Sequence, residues 1–273
     1  MNVDFTRIFG AAFSYPLKRD AYLVFFTVQL VFAIISWFVV GYLGLDLVGP
    51  DDTFLTQNAV IYASYMVPIM LAGIVANTFL LPALIENSAN FSKGKRKKIA
   101  EGFAASKKRF VDMIGLSAIM GIVMLACFGG LLMIMFSEPD IFTPEGFVVT
   151  AVGGLWFIAG GIVAAVFGFM AFLSPVFCAM DKAGPLESIR KSWRLIAKNK
   201  ADTLFFLIIF FAAYLAVAVV GSFPESLYTL LYGYAPALSM ESFAFMVVRS
   251  AVNSYIALFA ISSAVSYYLN IKK

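Results

Sequence analysis

Long apolar runs alternate with short polar segments along the whole chain. Five of these runs carry no charged residue, and they cover residues 21–45, 53–85, 113–137, 146–180 and 203–224. A sixth run extends from Glu241 to Ile271 and is interrupted only by Arg249. An α-helix needs about 20 apolar residues to cross about 30 Å of hydrocarbon. Because lipid offers the backbone no hydrogen-bond partner and an alternating barrel pattern is missing, the runs predict an all-α, polytopic membrane protein with six transmembrane helices.

The composition agrees with this fold class and excludes several kinds of catalytic and metal-binding site. Of 273 residues, 62% are hydrophobic and 13% are charged, and histidine is absent. Without histidine, Ser-His-Asp and Cys-His nucleophiles and the commonest zinc ligand sets are excluded. Cys127 and Cys178 stand within apolar runs, where a thiol acts as a small packing group. We therefore expect no enzymatic activity, no metal and no cofactor.

The basic residues predict the orientation of the spans. Nineteen of the 20 lysine and arginine residues lie before the first span, between spans two and three, between spans four and five, or after the last span. The other connections carry only acidic residues. By the positive-inside rule, both termini are predicted to be cytoplasmic. Because these basic residues all flank the membrane, we expect anionic lipid headgroups and not nucleic acid as their partners.

Some cytoplasmic segments have the pattern of amphipathic helices that lie on the membrane surface. In Pro185–Lys198, the apolar residues Leu186, Ile189, Trp193 and Ile196 recur at helical spacing between charged residues. The segment before the first span does likewise, and the segment between spans two and three does so more loosely. The residues expected to contact anionic headgroups are Lys95, Arg96, Lys97, Lys98, Arg190, Lys191 and Arg194. The same residues also suit a passive topology signal or a surface for a membrane-protein partner, and these alternatives stay open.

The spacing of the segments suggests a threefold repeat within a single membrane domain, residues 1–273. Each odd-numbered span follows a basic stretch and an aspartate, and these aspartates, Asp20, Asp112 and Asp202, stand 92 and 90 residues apart. The corresponding units are residues 1–86, 87–181 and 182–273. A carboxylate at this place is expected to cap the free N–H groups of a helix start. Residue identity between the units is weak, and short outer hairpins in any six-span protein give similar spacing.

Few polar groups stand inside the predicted spans. Arg249 precedes Lys272 by 23 residues. That distance is about 34 Å along a helix, which places Arg249 near the outer interface. There it can reach water or pair with Glu225 or Glu241. Alternatively, Arg249 and Asn253, one turn apart, line an outward vestibule.

Prolines and small residues predict how spans two and four bend and pack. Asn77 lies shortly before Pro82 in span two, and Pro175 has a comparable place in span four. The two prolines either kink their helices, with polar neighbours bonding the freed carbonyls, or hinge a gate. Span four also contains the small-residue series Gly160, Ala164 and Gly168. Because such a series lets backbones approach closely, we expect span four to lie centrally in the bundle.

One stretch of the chain resembles a known family. It contains Ser174-Pro175 and Asp181, and reads Gly-Pro-Leu-Glu-Ser-Ile-Arg-Lys-Ser-Trp-Arg-Leu over residues 184–195. These residues are similar to a segment of uncharacterised prokaryotic six-span families related to the membrane domain attached to some glycerophosphodiester phosphodiesterases. Elsewhere only the topology is similar. The resemblance implies six helices with surface helices in a prokaryotic cell membrane. It implies no phosphodiesterase activity, because no soluble catalytic domain accompanies these residues.

The sequence favours a membrane scaffold or accessory protein that acts through lipids or a membrane-protein partner. The basic inner surface, the short outer connections and the shortage of charge within the spans support this function. The alternative is a transporter or channel for a small or amphiphilic solute. The repeat and the prolines favour this alternative, but no intramembrane acid or ion-binding cluster supports it.

Overall fold

The structure is a computed structural model that describes residues 3–42, 54–95, 97–131, 143–233 and 239–272. Across these ranges the chain is almost entirely helical and contains no strand. The helices are α1 (Phe5–Ser14), α2 (Arg19–Tyr42), α3 (Phe54–Ser92), α4 (Ile99–Cys127), α5 (Pro144–Ala171), α6 (Ser174–Met180), α7 (Pro185–Lys198), α8 (Lys200–Tyr232) and α9 (Met240–Ile271).

Six stretches of the described chain are long and apolar enough to cross a membrane. They are Asp20–Val39, Ser64–Ser92, Ile99–Cys127, Pro144–Met180, Lys200–Tyr232 and Met240–Ile271. Each overlaps one of the six predicted runs, and α1 and α7 are separate shorter helices. The prediction of an all-α, polytopic membrane protein is therefore confirmed.

The chain divides into two compact units. The first consists of Met1–Lys107 and Ala201–Lys273, and the second of Lys108–Lys200. In the first unit, α9 packs against α1, α2 and α3, and α2 packs against α3. In the second unit, α7 packs against α5 and α6. This division differs from the three predicted repeat units, which stay a prediction.

Buried residues hold α1 against the spans of the first unit. Ile8 and Ala12, one helical turn apart, are fully buried. Tyr15 follows the helix, and its hydroxyl donates a hydrogen bond to the carbonyl of Leu84 in α3 at 3.2 Å. Burial raises the pKa of Tyr15 above its usual value, so this hydroxyl stays a neutral donor. The buried stripe of α1 therefore packs on protein.

The segment between spans two and three differs from its prediction. Helix α4 runs without interruption from Ile99 to Cys127, so residues 99–110 form its first turns and not a separate surface helix. Asp112 consequently lies inside the helix, where it forms an ion pair with Arg109 at 3.2 Å. The expectation that Asp112 caps a helix start is therefore wrong.

The other two aspartates do lie at helix starts. Asp20 is in the first turn of α2, and Asp202 is in the first turn of α8. Pro16 separates α1 from α2, and Asn199 separates α7 from α8. No proline stands between residue 99 and Asp112, so nothing in that segment prevents the helix from continuing into the span.

The two prolines near the basic ends of the spans have different effects. Span four is interrupted, because α5 ends at Ala171 and α6 begins at Ser174 with Pro175 in its first turn. Pro82, by contrast, lies inside α3 without ending it. The difference shows that proline alone does not fix where a span breaks.

A serine completes the backbone hydrogen bonding beside Pro82. The N–H of Ala83, the next residue, donates to the hydroxyl of Ser106 in α4 at 3.1 Å. The two helices approach closely here, since a Cβ built on Gly102 would lie 3.0 Å from backbone atoms of Ala83. A hydroxyl of the neighbouring helix thus accepts from an N–H beside the proline, whereas the bonding of the freed carbonyl by the polar neighbours of Pro82 stays a prediction.

Topology is tested with single cysteines at exposed positions, in a chain whose buried Cys127 and Cys178 are replaced by alanine. The substitutions are Glu145→Cys, Met240→Cys, Lys107→Cys and Lys198→Cys. We expect a membrane-impermeant maleimide to label the first two in intact cells, and the last two only after lysis, because of the positive-inside rule. Labelling of the cysteine at position 198 in intact cells would reverse the predicted orientation.

Candidate functional site

Helix α7 is attached to the second unit through a serine. The Ser192 hydroxyl donates to the carbonyl of Met170 at 2.7 Å and accepts from the N–H of Leu173 at 3.2 Å. Met170 lies in the last turn of α5 and Leu173 precedes α6, so the bonds are made at the break in span four. Ser188 and Ile196, one turn on either side of Ser192, are also fully buried. The buried face of α7 is therefore a mixed stripe of serine and isoleucine.

The opposite face of α7 is exposed and combines apolar and basic residues. The Leu186 and Trp193 side chains are 71% and 46% exposed. They lie seven residues apart and so on one face, with Arg190 between them and Arg194 beside them. The predicted apolar face is thus divided: Ile196 packs inside the second unit, while Leu186 and Trp193 remain on its surface.

Arg190 and Arg194 differ from Lys191 in their surroundings. The Lys191 ammonium contacts the Glu187 carboxylate at 2.8 Å, and this bond holds the pKa of Glu187 below its usual value. Within the described ranges, neither Arg190 nor Arg194 forms an ion pair. Two of the three predicted headgroup contacts on α7 thus keep an uncompensated charge.

The other predicted headgroup contacts belong to the connection between α3 and α4. Lys95, Lys97 and Lys98 are exposed there, and none forms an ion pair with a described residue. The Lys97 carbonyl accepts a hydrogen bond from the Asn87 side chain at 2.9 Å, which fixes the backbone of the connection. Arg96 lies outside the described residues.

The first unit has a cavity where α1 meets the C-terminal ends of α3 and α9. Its volume is about 400 Å³, and its lining includes Arg7, Lys93, Ser92 and Ser266. No lining residue is acidic. The sequence assigns Arg7 and Lys93 to two basic segments, but no pattern along the chain indicates that they meet.

A second cavity of the first unit, about 380 Å³ in volume, lies near the opposite end of α9. It contains Arg249, whose guanidinium contacts the Glu225 carboxylate at 2.8 Å. The two side chains are 65% and 39% exposed, so each charge is both paired and partly exposed. The indole N–H of Trp37 donates to the Ser242 hydroxyl at 3.1 Å in the same lining.

The remaining predicted intramembrane residues are separated. Asn253 is exposed one turn further along α9 and does not line the second cavity. Asn77 lies on α3, where its side-chain oxygen accepts a hydrogen bond from the Gln29 amide of α2 at 2.7 Å. Gln29 is not among the predicted polar residues, although an amide in an otherwise apolar run is a recognisable signal.

The small residues of α5 have unequal surroundings. Gly160 and Ala164 are buried in the second unit. A Cβ built on Gly160 would overlap the backbone of Cys127 at the end of α4, so the two backbones touch here. At Gly168, in contrast, a Cβ would have no heavy atom within 4 Å. Of the two glycines in this series, Gly160 is therefore the one in close contact with a neighbouring helix.

These features define a helical membrane protein with six spans and exposed basic surfaces. Among the described residues, no group of three or more Cys, Asp and Glu side chains is placed to hold a metal ion. A family model described as a domain of unknown function, DUF7847, matches residues 108–271. This is more than half of the chain, which therefore belongs to that family.

Comparisons with curated proteins and with solved structures assign no activity to the chain. No curated protein and no solved structure matches the chain. The resemblance to membrane domains of glycerophosphodiester phosphodiesterases therefore stays a prediction.

The contact at Gly160 leads to a stability prediction. We expect Gly160→Ala to lower the free energy of unfolding by about 1–3 kcal/mol, because the new Cβ meets backbone that has no room to move. The control is Gly161→Ala, since a Cβ at the next residue has no neighbour within 4 Å and alanine favours helix. Thermal unfolding in detergent measures both, and equal stability of the two variants would contradict the contact.

Proposed function

We propose that this chain is a non-enzymatic membrane scaffold or accessory protein that binds anionic lipid on its predicted cytoplasmic side. The exposed face of α7 carries the proposal, because it offers Leu186 and Trp193 to the acyl-chain boundary with Arg190 and Arg194 at headgroup level. A helix with this division of residues lies in the membrane interface.

The electrostatics of α7 favour anionic lipid. Each arginine near an anionic leaflet adds about 1 kcal/mol of attraction. Arg190 and Arg194 are the uncompensated charges of this face, while Lys191 is already paired with Glu187. We infer that the two arginines contact lipid phosphate and that Lys191 contributes less.

The arrangement also suits a scaffold. Helix α7 is fixed to span four by the two bonds of Ser192, so its exposed face has a set position relative to α5 and α6. A surface held in this way can gather anionic lipid or a membrane-protein partner at one place in the inner leaflet. We propose the plasma membrane of a prokaryotic cell as its location.

Lipid preference is measured by quenching of Trp193 fluorescence in nanodiscs. Trp37→Phe and Trp156→Phe leave Trp193 as the single tryptophan. We expect brominated phosphatidylglycerol to quench it more than brominated phosphatidylcholine at the same mole fraction, because the arginines enrich anionic lipid beside it. Salt at high concentration should reduce the difference.

The variant Arg190→Gln with Arg194→Gln should remove most of this preference. The matched control is Glu187→Gln with Lys191→Gln, on the same helix, which removes both members of an ion pair, leaves the net charge of the face unchanged and should keep the preference. Equal quenching by the two lipids in the parent protein would refute the proposed lipid contact.

A transporter or channel for a small or amphiphilic solute is the second candidate. The cavity at Arg249 and Glu225 favours it, and so does the Gln29–Asn77 amide pair between α2 and α3. Both are polar features of the first unit.

Flux measurements separate the two functions. We expect no selective ion or solute flux in proteoliposomes, because the Gln29–Asn77 amide pair includes no acid for coupling and Glu225 is already paired with Arg249. Selective flux that Asn77→Ala or Arg249→Ala abolishes would replace the scaffold by the transporter. Gly161→Ala serves as the control for nonspecific effects of substitution.

A further inference from the structure

The cavity between α1, α3 and α9 has the charges of an anion site. Arg7 and Lys93 both line it, and neither forms an ion pair within the described part of the chain. No lining residue is acidic. A guanidinium group and an ammonium group thus line one cavity, and no lining residue supplies a negative charge.

The backbone holds Lys93 at this place. Gly94 has a φ of 73°, its N–H bonds to the Phe91 carbonyl at 2.9 Å, and the Lys95 N–H bonds to the Asn90 carbonyl at 2.8 Å. This pair of bonds is the Schellman motif that ends α3. It also occupies two carbonyls at the helix end, which would otherwise compete with an anion for the lysine.

The cavity also contains hydroxyl groups. The Ser92 and Ser266 oxygens lie 3.1 Å apart and share one hydrogen bond. Two hydroxyls joined by a single bond leave one O–H hydrogen as a donor. Either serine can donate the shared bond, so the remaining O–H belongs to Ser92 or to Ser266, and both residues line the cavity.

We propose that this cavity binds the phosphate group of a phosphate ester. A guanidinium, an ammonium and a hydroxyl are the donors that phosphate oxygens accept, and charge-assisted bonds of this kind are the strong ones. The volume of about 400 Å³ suits a headgroup-sized ligand. The apolar side chains of Phe91 and Leu269 in the lining suit the carbon chain of the ester.

The ester is either the headgroup of a phospholipid or a soluble phosphate ester. Both sources present the same phosphate to Arg7 and Lys93. The site shares no residue with α7, so its ligand binding can be tested independently of the proposed function.

The test uses two probes in neutral detergent, and its parent protein is the full chain with Arg190→Gln and Arg194→Gln, so that the proposed lipid contact of α7 does not contribute. Native mass spectrometry measures binding of phosphatidic acid against phosphatidylcholine, and calorimetry measures binding of glycerol 3-phosphate. We expect Arg7→Gln with Lys93→Gln to weaken binding at least about tenfold, because two charge-assisted contacts are lost. The control Lys107→Gln with Lys108→Gln removes the same charge from exposed positions of α4 outside the cavity and should bind as the parent does.

A second variant blocks the cavity and keeps both cations. Gly10 lies in the lining, and a Cβ there has no heavy atom within 4 Å, so Gly10→Leu points a side chain into open space. Leucine also favours helix more than glycine does, so α1 should form as before. We expect this variant to lose binding although its net charge is unchanged.

The outcomes are distinct. Binding of phosphatidic acid alone supports a lipid headgroup as the ligand, and comparable binding of glycerol 3-phosphate supports a soluble ester. Undiminished binding in the double glutamine variant, or in Gly10→Leu, overturns the proposal. The proposal is also overturned if the parent protein neither prefers phosphatidic acid over phosphatidylcholine nor binds glycerol 3-phosphate.

Discussion

A backbone N–H or carbonyl group in hydrocarbon has no water to bond, and the rest of the architecture depends on this constraint. The helices satisfy it along the spans, and serine hydroxyls satisfy it at two irregular points. Ser106 bonds the backbone beside Pro82, and Ser192 bonds both sides of the break in span four. Both serines come from basic amphipathic segments, so the bonds that complete the backbone also attach these segments to the spans.

The same physics explains which parts of the fold are predictable. Charge is costly in hydrocarbon, so five uncharged runs and a sixth interrupted only by Arg249 mark the six spans directly. The start of α4 is not marked in this way, because an amphipathic segment has the same periodicity whether it ends at the interface or continues into the span. The faces of α7 present a related difficulty. Hydropathy assigns Ser192 to the polar side, although its hydroxyl bonds backbone groups at the break.

The candidate sites are less accessible to sequence reasoning than the fold. The partner of Arg249 could be narrowed to two acids, because α8 and α9 are consecutive helices and Glu225 lies on the first of them. The meeting of Arg7 with Lys93 is different, since 86 residues of chain separate them. Charge pattern assigns each of them to the membrane flank, and the packing of both α1 and α3 against α9 brings the two together.

The attachment of α7 also has a mechanical consequence. A surface helix held only by its apolar face can slide or rotate with little resistance, because apolar contact has no direction. Helix α7 is held instead by a hydroxyl that bonds a donor and an acceptor on the two sides of a break, and these bonds are directional. A lateral force on the exposed Trp193 side chain therefore acts through Ser192 on the joint between α5 and α6. In this respect α7 is a lever, and the break in span four is its fulcrum.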